Sequence, residues 1–236
     1  MKISGFAAAR PFVEKHDWTD MIFTRHNPSP RYQELTALYR RLHSEGEQRL
    51  GLSADETYPG ASMLPHAKRI KALIDSTGAR TLLDYGCGKG YQYGPGKIAI
   101  PGEGTWDGVI DYWEVDEVCC YDPCYARYSN LPEGTFDGVI STDVLEHCPE
   151  QDVPWIVAEI FSYATRFVFA SVACYPALTT LPNGENAHCT VHPLEWWRAL
   201  FGVAARDHPG VTWKLLVEAH GDHENAAARA QQVSGT

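Results

Sequence analysis

The 236-residue sequence predicts an α/β fold: a doubly wound, mostly parallel sheet preceded by an N-terminal helical extension. Three observations lead there. Short apolar runs alternate with segments of helical period, the pattern of a parallel sheet covered on both faces. The first of those runs ends in an acid followed by three glycines at alternate positions, Asp84-Tyr85-Gly86-Cys87-Gly88-Lys89-Gly90. Glycines there permit a sharp turn and close backbone approach by a ligand, at the carboxyl end of a strand where open α/β sheets bind ligands. Finally, 44% hydrophobic residues over this length support one sizeable core.

The elements follow in order. Residues 1–62 are polar and aromatic, and between residues 32 and 50 Leu35, Leu38, Tyr39, Leu42 and Leu50 recur at helix spacing, which marks a helical extension or lid. Over 63–77 an amphipathic helix turns Leu64, Ala67, Ile70, Leu73 and Ile74 to one side and stops at Gly78. Strands are expected over 81–84, 118–121, 136–141, 167–172 and 212–218, with helices over 153–163 and 193–201, the latter with Pro193 in its first turn. The α/β domain is thus assigned to 63–220 and a polar C-terminal tail to 221–236. Trp196 and Trp197 read as core, one a buried anchor and the other partly exposed.

Composition excludes several functions. A net charge of −10 opposes a surface that tracks phosphates, so nucleic acid is not an expected partner. No stretch approaches the roughly 20 apolar residues that cross a bilayer, and a cytoplasmic protein is expected. The seven cysteines form no regular framework and no Cys-x-x-Cys pair, so they are read as reduced, with Cys119, Cys120 and Cys124 as small hydrophobes near a strand end. No metal site is expected; His220, Asp222 and His223 are assigned to a solvated tail.

The glycine turn departs from the dinucleotide fingerprint, whose last glycine would fall at Tyr91, and lacks the Gly-Lys-Ser/Thr ending of a P-loop. Instead, Asp84 to Gly90 resembles motif I of class I S-adenosylmethionine-dependent methyltransferases. Two further segments are similar to that family: Asp122, ending the second strand in Cys119-Cys120-Tyr121-Asp122-Pro123, and the run Phe136 to His147 ending in Leu145-Glu146-His147. The resemblance covers roughly 63–220 and implies a Rossmann-like methyltransferase fold with S-adenosylmethionine as cofactor. It implies that Asp84 helps place the methionine end, that Gly86, Cys87, Gly88 and Gly90 lie under the ligand, and that Asp122, beside Pro123, accepts the ribose hydroxyls. A turn-forming role before Pro123 is the alternative for Asp122. Asp143 and Val144 follow the strand over 136–141, and Asp143 is placed to touch the methionine ammonium or a substrate. Two features differ from the family. An aromatic-rich insertion separates Gly90 from Asp122, over 91–116, and no third strand with its adenine-binding acid is recognisable before Phe136.

Chemistry is expected in the loops beyond the strand ends. His188 is the candidate base, with Glu185 beside it, Asn186 a substrate contact and Tyr175 an aromatic face for the sulfonium. His147 and Glu146 read as structural. Tyr39, His43 and Glu45 are candidates for a lid that excludes water. The expected activity is methyl transfer to oxygen or nitrogen of a small molecule. The alternative is cyclisation of S-adenosylmethionine as sole substrate, because the sequence also resembles azetidine-2-carboxylate synthases of secondary metabolism. A binding module without catalysis is the third reading.

Overall fold

The computed structural model describes residues 22–218 and 230–235. Six strands form one sheet in the order β4-β1-β5-β6-β7-β8, with a two-stranded hairpin β2-β3 beside it. The strands are β1 (Thr81–Tyr85), β2 (Ile98–Ile100), β3 (Gly104–Trp106), β4 (Glu117–Tyr121), β5 (Phe136–Thr142), β6 (Ala164–Ala173), β7 (Thr212–Glu218) and β8 (Ala230–Gly235). Within the large sheet all pairings are parallel except β7 with β8. The helices are α1 (Pro30–Glu45), α2 (Ala67–Thr77), α3 (Val109–Trp113), α4 (Val153–Tyr163) and α5 (Leu194–Ala204).

Side chains alternate across the sheet with a period of two, and the two sets meet different helices. Leu83, Val139, Val168 and Leu215 pack with Ile156, Ile160, Trp197 and Phe201 of α4 and α5. Leu82, Ile140, Phe169 and Leu216 pack with Ile70, Leu73 and Ile74 of α2 and Trp113 of α3. Helices therefore cover both faces. Strands buried on both sides need apolar residues at every position, which is why they read as continuous hydrophobic runs. No helix among the described residues is long and apolar enough to cross a membrane.

Three boundaries differ from expectation. The helix expected over 63–77 is a 3-10 turn, Ala61–His66, followed by α2, because Pro65 has no N–H to continue an α-helical ladder. The helix expected over 32–50 ends at Glu45, where Gly46 at φ 83° donates its N–H to Leu42 O. The tail contributes β8, antiparallel to β7. Its sequence carries only one large apolar residue, Val233, so periodicity has nothing to detect; the strand is held by pairing with what would be an exposed edge. Residues 1–21 of the extension and the tail residues His220, Asp222 and His223 lie outside the described residues. Trp196 and Trp197 are both buried, in edge-to-face contact at 4.7 Å, with Trp196 stacked on His192, so neither is the partly exposed partner.

The N-terminal extension is anchored by polar contacts as much as by packing. Ser29 caps α1, its Oγ accepting from Tyr32 N at 3.0 Å, while its own N–H and hydroxyl donate to Asp152. Asp152 is fully buried and also accepts from Trp155 Nε1 at 2.8 Å. Arg25 donates through Nε and Nη2 to the two Glu159 oxygens at 2.7 and 2.6 Å and through Nη2 to Tyr85 Oη at 2.7 Å. A two-pronged guanidinium–carboxylate pair of this kind fixes orientation as well as distance. These ties hold Arg25 and Ser29 against α4 and its N-terminus and leave α1 lying across the strand ends.

The aromatic insertion over 91–116 forms a 3-10 turn, the β2-β3 hairpin and α3. Trp113 is fully buried and donates its Nε1 to Ala67 O at 3.0 Å, so the insertion packs beside α2. Between β4 and β5 there is only a 3-10 turn, Ala126–Tyr128, and β4 is the edge strand.

Candidate functional site

A cavity of about 470 Å³ opens at the carboxyl ends of β1, β4 and β5. Its floor is Gly86 and Gly88 after β1, Asp122, Pro123 and Cys124 after β4, and Thr142, Asp143 and Val144 at the end of β5. Leu35, Tyr39 and His43 of α1, with Tyr58, Gly60 and Ser62, form the opposite wall. α1 is held there from both ends of the opening: Arg40 donates to Pro123 O at 3.1 Å, and Arg31 pairs with Glu185. A groove of about 540 Å³ between the 92–95 turn and α3 is lined by the 91–116 insertion and contains none of the cofactor or catalytic candidates. None of 91–116 lines the strand-end cavity, so α1 and the segment after it supply the cover and the insertion does not.

The glycine turn explains its own sequence. Gly86, Gly88 and Gly90 have φ of 90°, 57° and 60°, a region that costs other residues roughly 1–2 kcal/mol. The N–H groups of Gly86 and Cys87 both donate to Tyr121 O, at 2.7 and 3.1 Å, which binds the turn to β4. A Cβ on Gly86 would enter the Val144 side chain, and one on Gly88 would lie 2.5 Å from Tyr58 O. Protein atoms pack tightly against these glycines, which only residues without a side chain allow.

Asp122 sits where β4 gives way to the loop, with Oδ2 accepting Gly88 N–H at 3.0 Å and Oδ1 accepting Cys124 N–H at 2.8 Å. It is therefore a turn former. A carboxylate offers about four acceptor sites, and with the Tyr125 amide also acting on it at least one remains, on a residue that lines the cavity. Burial pushes its carboxyl up to about 6, opposed by hydrogen bonds from the Cys124 and Gly88 amides. His43 faces it, Nε2 lying 3.9 Å from Oδ2. The buried Lys89 ammonium is 3.3 Å from His43 Nδ1 and donates to Thr57 O at 2.6 Å. Lysine only donates, so Nδ1 accepts and the His43 N–H is on Nε2, toward Asp122. Desolvation and then the Lys89 charge push His43 down to about 4, leaving it neutral at pH 7.

Asp84 is buried at the end of β1 and is not part of the cavity wall; its Oδ2 accepts the Tyr93 hydroxyl at 2.8 Å. Burial raises its carboxyl to about 7, against the Tyr93 hydrogen bond. Cys87 and Gly90 also lie behind the wall. All seven cysteines are free thiols.

Beyond β5, Asp143 adopts φ 61° and donates its N–H to Ser171 O at 3.1 Å. Glu146, on the following 3-10 turn, is fully buried, and its Oε1 accepts Ala173 N–H at 2.6 Å. Its Oε2 is sealed from solvent and makes no well-formed hydrogen bond, although the Asp143 carboxylate is near enough to act on it. Burial, then Asp143, push Glu146 well above the usual carboxyl range. The Glu146 carbonyl accepts from Cys189 N and Thr190 N, which brings the 175–190 loop alongside.

That loop places His188 with Nδ1 2.6 Å from Tyr175 O. Asn186 bonds Ala177 through both ends of its amide and accepts His188 N–H at 3.0 Å, so it shapes the loop. Tyr175, Asn186 and His188 do not line the cavity, but His147 does. His147 Nδ1 lies 3.1 Å from Ala187 O and 2.8 Å from Tyr39 Oη, which itself donates to Ala187 O. A carbonyl only accepts, so Nδ1 carries the proton and Nε2 keeps the lone pair. Burial and the neighbouring His188, 4.7 Å away ring to ring, push His147 down to about 4.

No family model, curated protein or solved structure matches the chain. The site is consequently read from its own geometry. Of the residues singled out from sequence, Gly86, Gly88, Asp122, Pro123, Asp143 and Val144 come together in one wall, and Tyr39 and His43 of the candidate lid face them. Glu45 pairs instead with Arg41 on the outer side of α1. Tyr58, Gly60 and Ser62 were not singled out. Tyr58 and Gly60 lie on an irregular segment whose only signal is a Tyr-Pro-Gly turn and Ser62 on the 3-10 turn that follows, and their nearness to the glycine turn comes from chain folding alone.

Proposed function

We propose that the chain is an S-adenosylmethionine-dependent enzyme of the methyltransferase type, acting on oxygen or nitrogen of a small molecule. The observation that carries this reading is the convergence of the glycine turn, Asp122 and Asp143 on one strand-end cavity beneath an aromatic cover. The cavity falls within the roughly 300–1,000 Å³ of small-molecule sites.

In this reading Asp122 receives the ribose hydroxyls on its remaining lone pairs, and the Gly86-Gly88 backbone lies beneath the nucleoside. Asp143 faces the reacting end. When bound, S-adenosylmethionine supplies an electrophilic carbon next to a sulfonium. The protein's part is to orient the acceptor, to exclude water with α1, and to hold a neutral imidazole, His147, whose Nε2 can take a proton. The modest cavity volume favours a second reading, in which S-adenosylmethionine is the sole substrate and its own amine is the nucleophile. Incubation with S-adenosylmethionine alone separates the two: methylthioadenosine marks cyclisation, whereas S-adenosylhomocysteine that appears only with an added acceptor marks transfer. Calorimetry tests both at once, since a folded protein that gives no heat with S-adenosylmethionine rules out either.

The binding should also depend on pH in a stated direction. Asp122, raised to about 6, accepts ribose hydroxyls best when ionised. Affinity is therefore expected to be flat above about pH 7 and to fall by up to about tenfold per unit as pH drops below 6. Asp122→Asn should flatten the profile; a profile that keeps its slope assigns the titration to another group.

A further inference from the structure

The sequence offers no metal motif, yet folding gathers three ligand types outside the glycine turn. One carboxylate oxygen of Asp143, one of Glu146 and one ring nitrogen of His188 lie within 4.8 Å of one another. An ion bound at about 2.0–2.2 Å from each ligand holds neighbouring ligand atoms roughly 3–3.6 Å apart, so a separation at the 4.8 Å bound closes by about an ångström when the ion enters, a shift within reach of side-chain rotation. Two separate observations indicate that something belongs between them. Glu146 is fully buried, and while its Oε1 accepts Ala173 N–H, its Oε2 receives no well-formed hydrogen bond and has a second carboxylate, Asp143, as its neighbour. A buried carboxylate oxygen left bare is costly unless a proton or a cation meets it. His188 is also oriented as metal-binding histidines are: Nδ1 donates to the Tyr175 carbonyl, which leaves Nε2 with its lone pair free for a cation.

We propose that Asp143, Glu146 and His188 bind one divalent cation of the manganese, iron or zinc class. The donor set decides the class: one imidazole and two carboxylates suit these ions, while the absence of a thiolate from the set disfavours copper(I). The cation sits at the edge of the cavity, because Asp143 is shared between the cluster and the wall. There it can accept an oxygen of a bound molecule and lower the pKa of a hydroxyl. The site stands without S-adenosylmethionine, so failure of the cofactor reading leaves it untouched.

The test is titration of the metal-stripped full chain with Mn²⁺, following the free-ion electron paramagnetic resonance signal, and with Zn²⁺ by calorimetry. One equivalent should be taken up, with a rise in melting temperature. Asp143→Asn and His188→Gln should each weaken uptake by at least about tenfold while melting as the parent does in chelator. Asparagine tolerates the φ of Asp143, so that variant is expected to fold. Removing both tail histidines, His220→Ala with His223→Ala, should leave uptake unchanged. The proposal is overturned if the parent takes up neither ion at millimolar concentration, which would mean that Asp143 and Glu146 share a proton. It is equally overturned if both cluster variants bind as the parent does or if the tail variant abolishes uptake.

Discussion

Gly60→Ala is expected to lose roughly 2–5 kcal/mol of stability and to weaken S-adenosylmethionine binding at least tenfold. Two costs combine. Gly60 has φ 88°, which costs an L-residue about 1–2 kcal/mol. A Cβ there would also meet Cys87 O and Gly90 N, backbone atoms of the glycine turn that have no side-chain freedom with which to yield, adding about 1–3 kcal/mol of overpacking. For a chain of this length the melting temperature should fall by roughly 5–15 °C. Gly102→Ala is the matched control: its φ is 80° but nothing lies within 4 Å of its Cβ, so it should carry only the conformational cost. If the two variants melt together, the contact between the 57–62 segment and the glycine turn does not have the energetic role assigned to it. Affinity should fall with Gly60→Ala because Gly60 and Gly88 wall the same cavity.

The second large effect belongs to Asp122→Ala. The ribose role and the turn-forming role that the sequence offers as alternatives are both at stake, because Asp122 accepts the amides of Gly88 and Cys124. Hydrogen bonds to a charged group are worth about 1.5–3 kcal/mol each, so alanine is expected to cost stability as well as at least a tenfold loss of cofactor affinity. Asp122→Asn separates the two contributions. Its amide oxygen can keep one backbone N–H while losing the charge and one acceptor, so stability should fall between the parent and alanine. Affinity at pH 7 should fall in the same order. A folded Asp122→Ala protein with unchanged affinity would falsify the ribose assignment and leave Asp122 as a turn former alone.

Periodicity and composition determined the local parts of this protein. The runs of Leu, Val, Ile and Phe that became β1, β5, β6 and β7 are legible because burial on both faces demands apolar residues without a break. The bounds of α4 agree with the sequence reading because an uninterrupted helical period runs between Asp152 and Ala164. The glycine turn is legible because left-handed backbone leaves few alternatives to glycine. Only the tertiary structure decided what meets across the chain. That α1 and not the aromatic insertion covers the cavity depends on Ser29 with Asp152 and Arg25 with Glu159, pairs far apart in sequence with no local signature. The sequence marks His188 as a base and His147 as structural, yet His147 lines the cavity while a ring nitrogen of His188 lies within 4.8 Å of the Asp143 and Glu146 carboxylates. The physical reason is that secondary structure follows from near neighbours, whereas a site is made by side chains from separate strand ends and loops. Their distances are set by packing and by buried hydrogen bonds such as those of the Glu146 carbonyl to Cys189 and Thr190.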